Sequence, residues 1–550
     1  MPINYNDSLD DQLAFDACLT FTGGQVSNVR STLLDKAQYS DGKNMDIDRF
    51  GALVTRRGAK RELGGLLDEN WEDVSGVGTG EWENYENNWT GDPTVRCDSI
   101  GYFDTSALEQ LVAVSDQKVY KNANGTWTDV TALGDGYIPA AGANVEMAQL
   151  VDKLYLTDGT NNVHSYTGTV FADEGTGSIG SKPPICKYLI SHTNRLFAGG
   201  VIATPDALFA SDLLDGQTWD NTNFQIRIGG DTGDPITGLA SWMGHTLVVF
   251  KQRSCYAVTS NPQETTAATW TVENIDSKIG CVSHRSIAQV GQDIFFLAPD
   301  GIRTVKSILE GAGRAVSEPI SVGIQDLIDT INWNASIDQA AAVFWRNHYI
   351  LSVPTGSSVV NNTCIVFNTV TRAFVGSWTW DATQFATSAF SGEVRLLFST
   401  EEGKAMFYQD HVKVASETAE AYQDDGEDYE SHILTRGLSF GEQFSEVLPN
   451  HVELELKPAL ADRVNIRASM DEGEEQVVNQ TPVNTTTGTV TLPFKLPVTF
   501  PRTTPIINSY NLINKGPCRE IQFKVRTDGG KMHLRSVRAS AYVNTITQET

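Results

Sequence analysis

From Cys97 to Asp410 the chain repeats one phrase: an alternating apolar strand, a short polar turn, then a second alternating strand ending in an aromatic residue or Val. Leu111–Val114 turns through Ser115, Asp116 and Gln117 into Lys118–Lys121, and Met147–Leu150 turns through Asp152 and Lys153 into Leu154–Leu156. Leu239–Met243, Ser286–Val290, Ala342–Trp345 and Phe385–Phe390 open further copies, each with Gly or Asn at its turn. Period-two alternation bounded by Asn, Asp and Gly is the signature of β-hairpins. The copies start roughly 35 to 60 residues apart, the spacing of propeller blades and larger than one β-helix coil. A closed ring of four-stranded blades also leaves few bare strand edges, so so long an all-β chain can stay soluble. Residues 96–416 are therefore expected to form a β-propeller, against the alternative of β-sandwiches in tandem. The blade number stays open, because 306–340 lacks clear strands.

Two stretches flank the array. Residues 1–95 mix turn-rich segments with acidic loops and read as a docking or platform region, within which the insert 61–95 has no assigned role. Residues 417–430 hold Glu417, Glu420, Asp424, Asp425, Glu427, Asp428 and Glu430 without one cation, and read as a solvated linker or loop. Beyond it, 431–550 carry further alternating strands and suit a C-terminal β-sandwich. There Ile521–Val525 and Lys531–Tyr542 are expected to pair as a hairpin across Asp528, Gly529 and Gly530. Ile324–Ile331 has helical spacing and is placed between blades.

Charge narrows the function classes. The 550 residues include 41 Lys plus Arg against 68 Asp plus Glu, a net charge of −27. Such a chain is a poor clamp for nucleic acid or an anionic membrane, although it could line a passage that repels nucleic acid. The N-terminus lacks a secretory pattern and no apolar run could span a bilayer, so a reducing cytoplasm and no membrane insertion are expected. Seven scattered cysteines without a CxxC pair indicate neither a disulfide framework nor a zinc site.

Chemistry is sparse. Gly175, Gly177 and Gly180 spell G-x-G-x-x-G, but Pro183 and Pro184 follow where a dinucleotide site needs a helix. The nine histidines are dispersed, and there is no nucleophile elbow or Walker sequence. No catalytic residue, cofactor or metal is assigned, and no enzymatic activity is expected. The eleven tryptophans suggest either blade-core packing or a sugar-stacking surface. That leaves a glycan-binding or glycan-cleaving propeller at a virion or cell surface as the alternative function. A cellular propeller scaffold would be expected to show WD or kelch signatures, which are absent.

Several phrases resemble one family. Phe21–Lys60, with its arginine-glycine phrase Leu53–Gly58, resembles the opening of tail nozzle (tail-hub) proteins of short-tailed, podovirus-type bacteriophages. Ile236–Val258, Ile279–Val305 and Tyr349–Trp378 are similar to that family's blades, and Thr435–Leu456 to the entry into its C-terminal β domain. The resemblance implies a structural virion protein, assembled in the host cytoplasm as a homo-oligomeric ring of six. Such a ring lies below the portal and adaptor, touches tail fibre or needle proteins, and continues and closes a channel for the phage's double-stranded DNA. Two sites are expected on that basis. Arg56, Arg57, Lys60 and Arg61, the densest basic cluster, would make assembly contacts. The acidic run Glu417–Glu430 would face the channel.

Overall fold

Alternating Val, Ile, Leu and Phe cannot be buried on one hairpin alone, so each repeat packs one face on its neighbours. In the computed structural model this yields an all-β molecule with few helical turns. It describes residues 13–61, 96–123, 127–176, 180–230, 233–311, 318–334, 337–389, 394–411, 418–440, 447–457, 464–479, 506–512 and 517–543. The insert 62–95, with Trp71, Trp82 and Trp89, and also Glu417 therefore lie outside the described residues.

Seven small antiparallel sheets follow one another as propeller blades. Their innermost strands are Cys97–Asp104, Glu146–Leu150, Tyr188–His192, Ile236–Trp242, Ala288–Val290, Ala341–Trp345 and Ala382–Ser388. Each of these packs on the next, and the last packs on the first, which closes the ring. The core lies between blades. Phe103, Val112 and Val114 of blade one meet Leu154, Leu156 and Tyr166 of blade two, for example.

Two blades depart from the sequence pattern. Blade five has three strands, after which the helix Val305–Gly311 follows directly, because Lys306–Gly311 lacks period-two alternation. The helical spacing at 324–331 becomes a short helix, Gln325–Asp329, in the connection to blade six. Blade seven takes its outer strand from far upstream. Ala59–Arg61 pairs antiparallel with Ala405–Tyr408, joining Ala59 to Tyr408 and Arg61 to Met406. A strand that precedes blade one thus completes the last blade.

The C-terminal sandwich is likewise built from both halves of the sequence. One sheet places Met45–Ile47 and Leu53–Thr55 beside His533–Val543, then Val447–Leu456 and Ile506–Asn511, with Leu13–Cys18 also along His533–Val543. The other contains Gln38–Lys43, Ser431–Thr435, Ile521–Thr527 and Val464–Met470, and runs on into blade six through Lys43 opposite Ser377. Leu53, Val452, Leu454 and Val537 pack against Ile433, Ile466, Phe523 and Val525 between these sheets.

Three expectations change. Of the expected region 1–95, the described residues 13–61 place their strands in the sandwich and in blade seven. Ile521–Thr527 and His533–Val543 do not pair as a hairpin but enter opposite sheets, because Gly530 at φ 70° turns the chain across the sandwich. Residues 418–430 are no linker spanning solvent, since they fold onto residues 56–61.

Candidate functional site: the clasp and the channel stopper

The basic cluster and the acidic run come together. Gly58 and Gln423 lie back to back so closely that a Cβ on Gly58 would sit 1.8 Å from the Gln423 carbonyl oxygen. Only glycine fits there, which gives the arginine-glycine phrase its physical reason. Backbone bonds complete the joint: Gly58 N–H donates to Ala421 at 2.9 Å and Asp425 N–H to Ala59 at 2.7 Å.

Arg56 is 1% exposed. Its guanidinium grips both oxygens of Asp424, at 3.0 and 2.5 Å, and its Nε donates to Asn44 Oδ1 at 2.9 Å. The rings of Trp380 and Tyr429 lie 5.0 and 4.0 Å from it. Burial opposes the charge, but the Asp424 carboxylate outweighs it and holds the guanidinium protonated. Asp424 also accepts the Ala59 N–H at 2.9 Å. One carboxylate therefore ties the ring-closing strand, blade seven and the run that leads into the sandwich.

The other predicted residues divide. Arg61 bonds Asp425 at 2.8 Å, and Lys404 of blade seven reaches the same carboxylate at 3.1 Å. Arg57 is half-buried and donates to the Gln409 carbonyl at 3.2 Å, while Lys60 lies half-exposed on the closing strand. Glu430 accepts from His432 at 2.9 Å. Glu420, Glu427 and Asp428 remain exposed. Arg56 and Arg61, expected to make assembly contacts, are both engaged within the chain, Arg56 wholly buried there. Likewise Asp424 and Asp425 are not bare, solvated charges. Sequence reading missed Asn44, a hub at φ 54° whose Nδ2 donates to Glu430 O at 2.8 Å. A non-glycine residue at positive φ leaves no sequence signal beyond the known tolerance of Asn for that conformation.

A second charged group stands on the propeller axis. Arg285, on the turn before blade five, is buried and crosses to blade two, where Nε meets Glu146 Oε1 at 2.7 Å. It also donates to the carbonyls of Asp98 and Val145 at 2.7 and 2.8 Å. Burial would raise the Glu146 carboxyl, but Arg285 and His284 hold it below its ordinary range. Beside Arg285 is a cavity of about 320 Å³ lined by inner-strand residues such as Leu239, Ala341 and Gln384. Arg285 therefore crosses the axis of this propeller beside that cavity.

Among the described residues no group of three His, Cys, Asp or Glu is placed to hold a metal, and no helix is long and apolar enough to cross a membrane. All seven cysteines are buried and unpaired, and burial pushes the Cys97 and Cys186 thiols up. Trp127, Trp219, Trp270, Trp345, Trp378 and Trp380 are buried, so they pack blades rather than offer stacking faces.

No known family model and no curated protein matches the chain. Solved structures that the chain resembles include YCF48 bound to a D1 peptide, 10% identical over 59% of this chain and 94% of that one, with a TM-score of 0.34. A chain of the mitotic checkpoint complex is 10% identical over 56% and 86%, with a TM-score of 0.35. PorZ, a surface component of the type-IX secretion system of Porphyromonas gingivalis, is 14% identical over 65% and 43%, with a TM-score of 0.31.

Proposed function

We propose that this chain is a structural tail nozzle subunit of a short-tailed bacteriophage, six copies of which form a ring below the adaptor and continue the DNA channel. The observation that carries the reading is the position of the family-like phrase Leu53–Gly58. It forms the clasp by which a closed propeller is locked to a sandwich made from both halves of the chain. A ring under load from packaged DNA needs subunits that move as one body, and a buried bidentate ion pair with aromatic cover resists hinging. With Arg285 on the propeller axis, DNA would pass along the axis of the ring and not through a propeller.

Net charge fits that passage. A chain with net charge −27 offers DNA few phosphate contacts, which favours quick release. Within the acidic run, a channel-facing role falls to Glu420, Glu427 and Asp428, since Asp424 and Asp425 are paired. Adaptor, fibre and needle proteins would be the neighbours in the virion. Mass photometry and negative-stain averages of the purified chain test the reading. Sixfold rings are expected; single chains at every concentration, or turnover of a host polysaccharide, would overturn it.

A further inference from the structure

The cavity beside Arg285 is walled by the inner strands of blades two to seven. All three nitrogens of the Arg285 guanidinium are spent on the chain, Nε on Glu146 Oε1 and the others on the Asp98 and Val145 carbonyls. Arg285 thus fixes Glu146, which is 7% exposed, yet Glu146 Oε2 has no hydrogen-bond partner among the described residues. His284 supplies the complementary group. Its Nδ1 accepts the Leu239 N–H at 3.2 Å, and its ring leans on Tyr188 with centroids 4.9 Å apart. Burial keeps the imidazole neutral, so the hydrogen sits on Nε2. That atom stands 3.9 Å from Glu146 Oε2, too far for a direct bond. An oxygen about 2.8 Å from each, at a right angle, fits between them. Only a group that both accepts and donates satisfies the pair, and a hydroxyl does. Gln384 adds a donor: its Oε1 accepts from Ser99 Oγ and from the Ile100 N–H at 3.0 Å, which leaves its amide nitrogen unpartnered at the cavity wall.

A single water would satisfy the first pair, but a cavity of about 320 Å³ is far larger than one water. Its remaining wall offers water little. Ile190, Leu239, Ala341 and Phe385 are apolar, and Ser241 and Gln289 already bond His192 and Gly291. A largely apolar pocket with a few convergent polar atoms is the form of a small-molecule site, and this one lies at the small end of the range. Charge narrows the occupant further. Arg285 and Glu146 cancel, so an anion would meet Glu146 and a cation would meet Arg285. We propose that the axial cavity binds one neutral pyranose ring, with one hydroxyl between Glu146 and His284, a second on Gln384 and its C–H face on the apolar wall. This goes beyond the ring reading above and does not rest on it.

Calorimetric titration and saturation-transfer NMR of the full-length chain are the test. The probes are the methyl glycosides of glucose, galactose, mannose and N-acetylglucosamine, with maltose and lactose presenting a ring at a glycan end, and acetate and methylammonium as charged counterparts. At least one glycoside is expected to bind one site per chain in the millimolar range or tighter. Gln384→Glu keeps the acceptor and removes the donor, and Glu146→Gln removes the carboxylate. Each is expected to weaken binding at least tenfold, Gln384→Glu at unchanged circular dichroism, while the exposed control Arg253→Glu leaves it unchanged. A disaccharide that binds as well as its terminal ring assigns the source to a glycan end; one that is excluded assigns it to free sugar. Absence of saturation transfer to every sugar, equal binding by wild type and Gln384→Glu, or tighter binding of acetate or methylammonium would overturn the proposal.

Discussion

Asp424 shows how much can hang on one side chain. It neutralises Arg56, receives a backbone bond from the closing strand and lies 3.3 Å from the Trp380 Nε1 donor. Asp424→Ala should cost about 3–5 kcal/mol in urea unfolding, because a buried guanidinium loses its partner. Replacing Arg56 and Asp424 together should cost less than the sum of the single changes. Two histidines at the propeller–sandwich cleft titrate in opposite senses. Burial, reinforced by Lys457, Lys531 and Arg535 against Asp48, pushes His533 down to about 4. Its contribution to stability is complete above its ordinary value of about 6.5 and is lost as pH falls toward 4. Burial also opposes the charge of His348, but Asp46 at 2.9 Å and then Asp410 raise it. That contribution is complete below about 6.5 and fades as pH rises through the higher folded value. Melting temperatures of His533→Gln should therefore fall less than wild type between pH 6.5 and 4, while His348→Gln should flatten the curve above pH 6.5.

The three-residue strand Ala59–Arg61 completes the last blade of the ring. Lys60→Pro fixes φ and removes a ladder donor. Hydrogen exchange should then accelerate across Ala405–Tyr408 and Arg395–Thr400, while blades two to four keep their protection. Many elements were legible in the chain: alternation located the central hairpins of the blades and all four strands of blade six, since each is half-buried on a local hairpin, but not the outer strands Phe171–Asp173, Asp215–Trp219 and Thr271–Asp276. What was not legible was non-local. Nothing in Ala59-Lys60-Arg61 announces a partner more than three hundred residues away, as the separation of 365 between Ala59 and Asp424 shows. The candidate site was half legible for the same reason. Both charged clusters stood out in composition, but their mutual neutralisation depends on blade closure, and a one-dimensional reading assigned each to an outside partner.

For the whole molecule, the net charge of −27 and Arg285 on the propeller axis yield one joint expectation under the proposed nozzle reading. Glu427→Lys with Asp428→Lys should slow DNA ejection from assembled particles if that hairpin lines the passage, with the delay shrinking as salt rises. Unchanged ejection at low salt would instead leave those charges a role in solubility. The pairing of early strands with late ones also sets a timetable. Thr55 bonds Met532, 477 positions later, so strands made first wait for strands made last. At roughly 5–20 residues per second a ribosome leaves them waiting about half a minute or more. The sandwich cannot close on a nascent chain, whereas the strands of the propeller are all made by Tyr408. Folding of the sandwich must therefore wait for the last strands, and a prematurely terminated chain is left with open strand edges for chaperones and proteases.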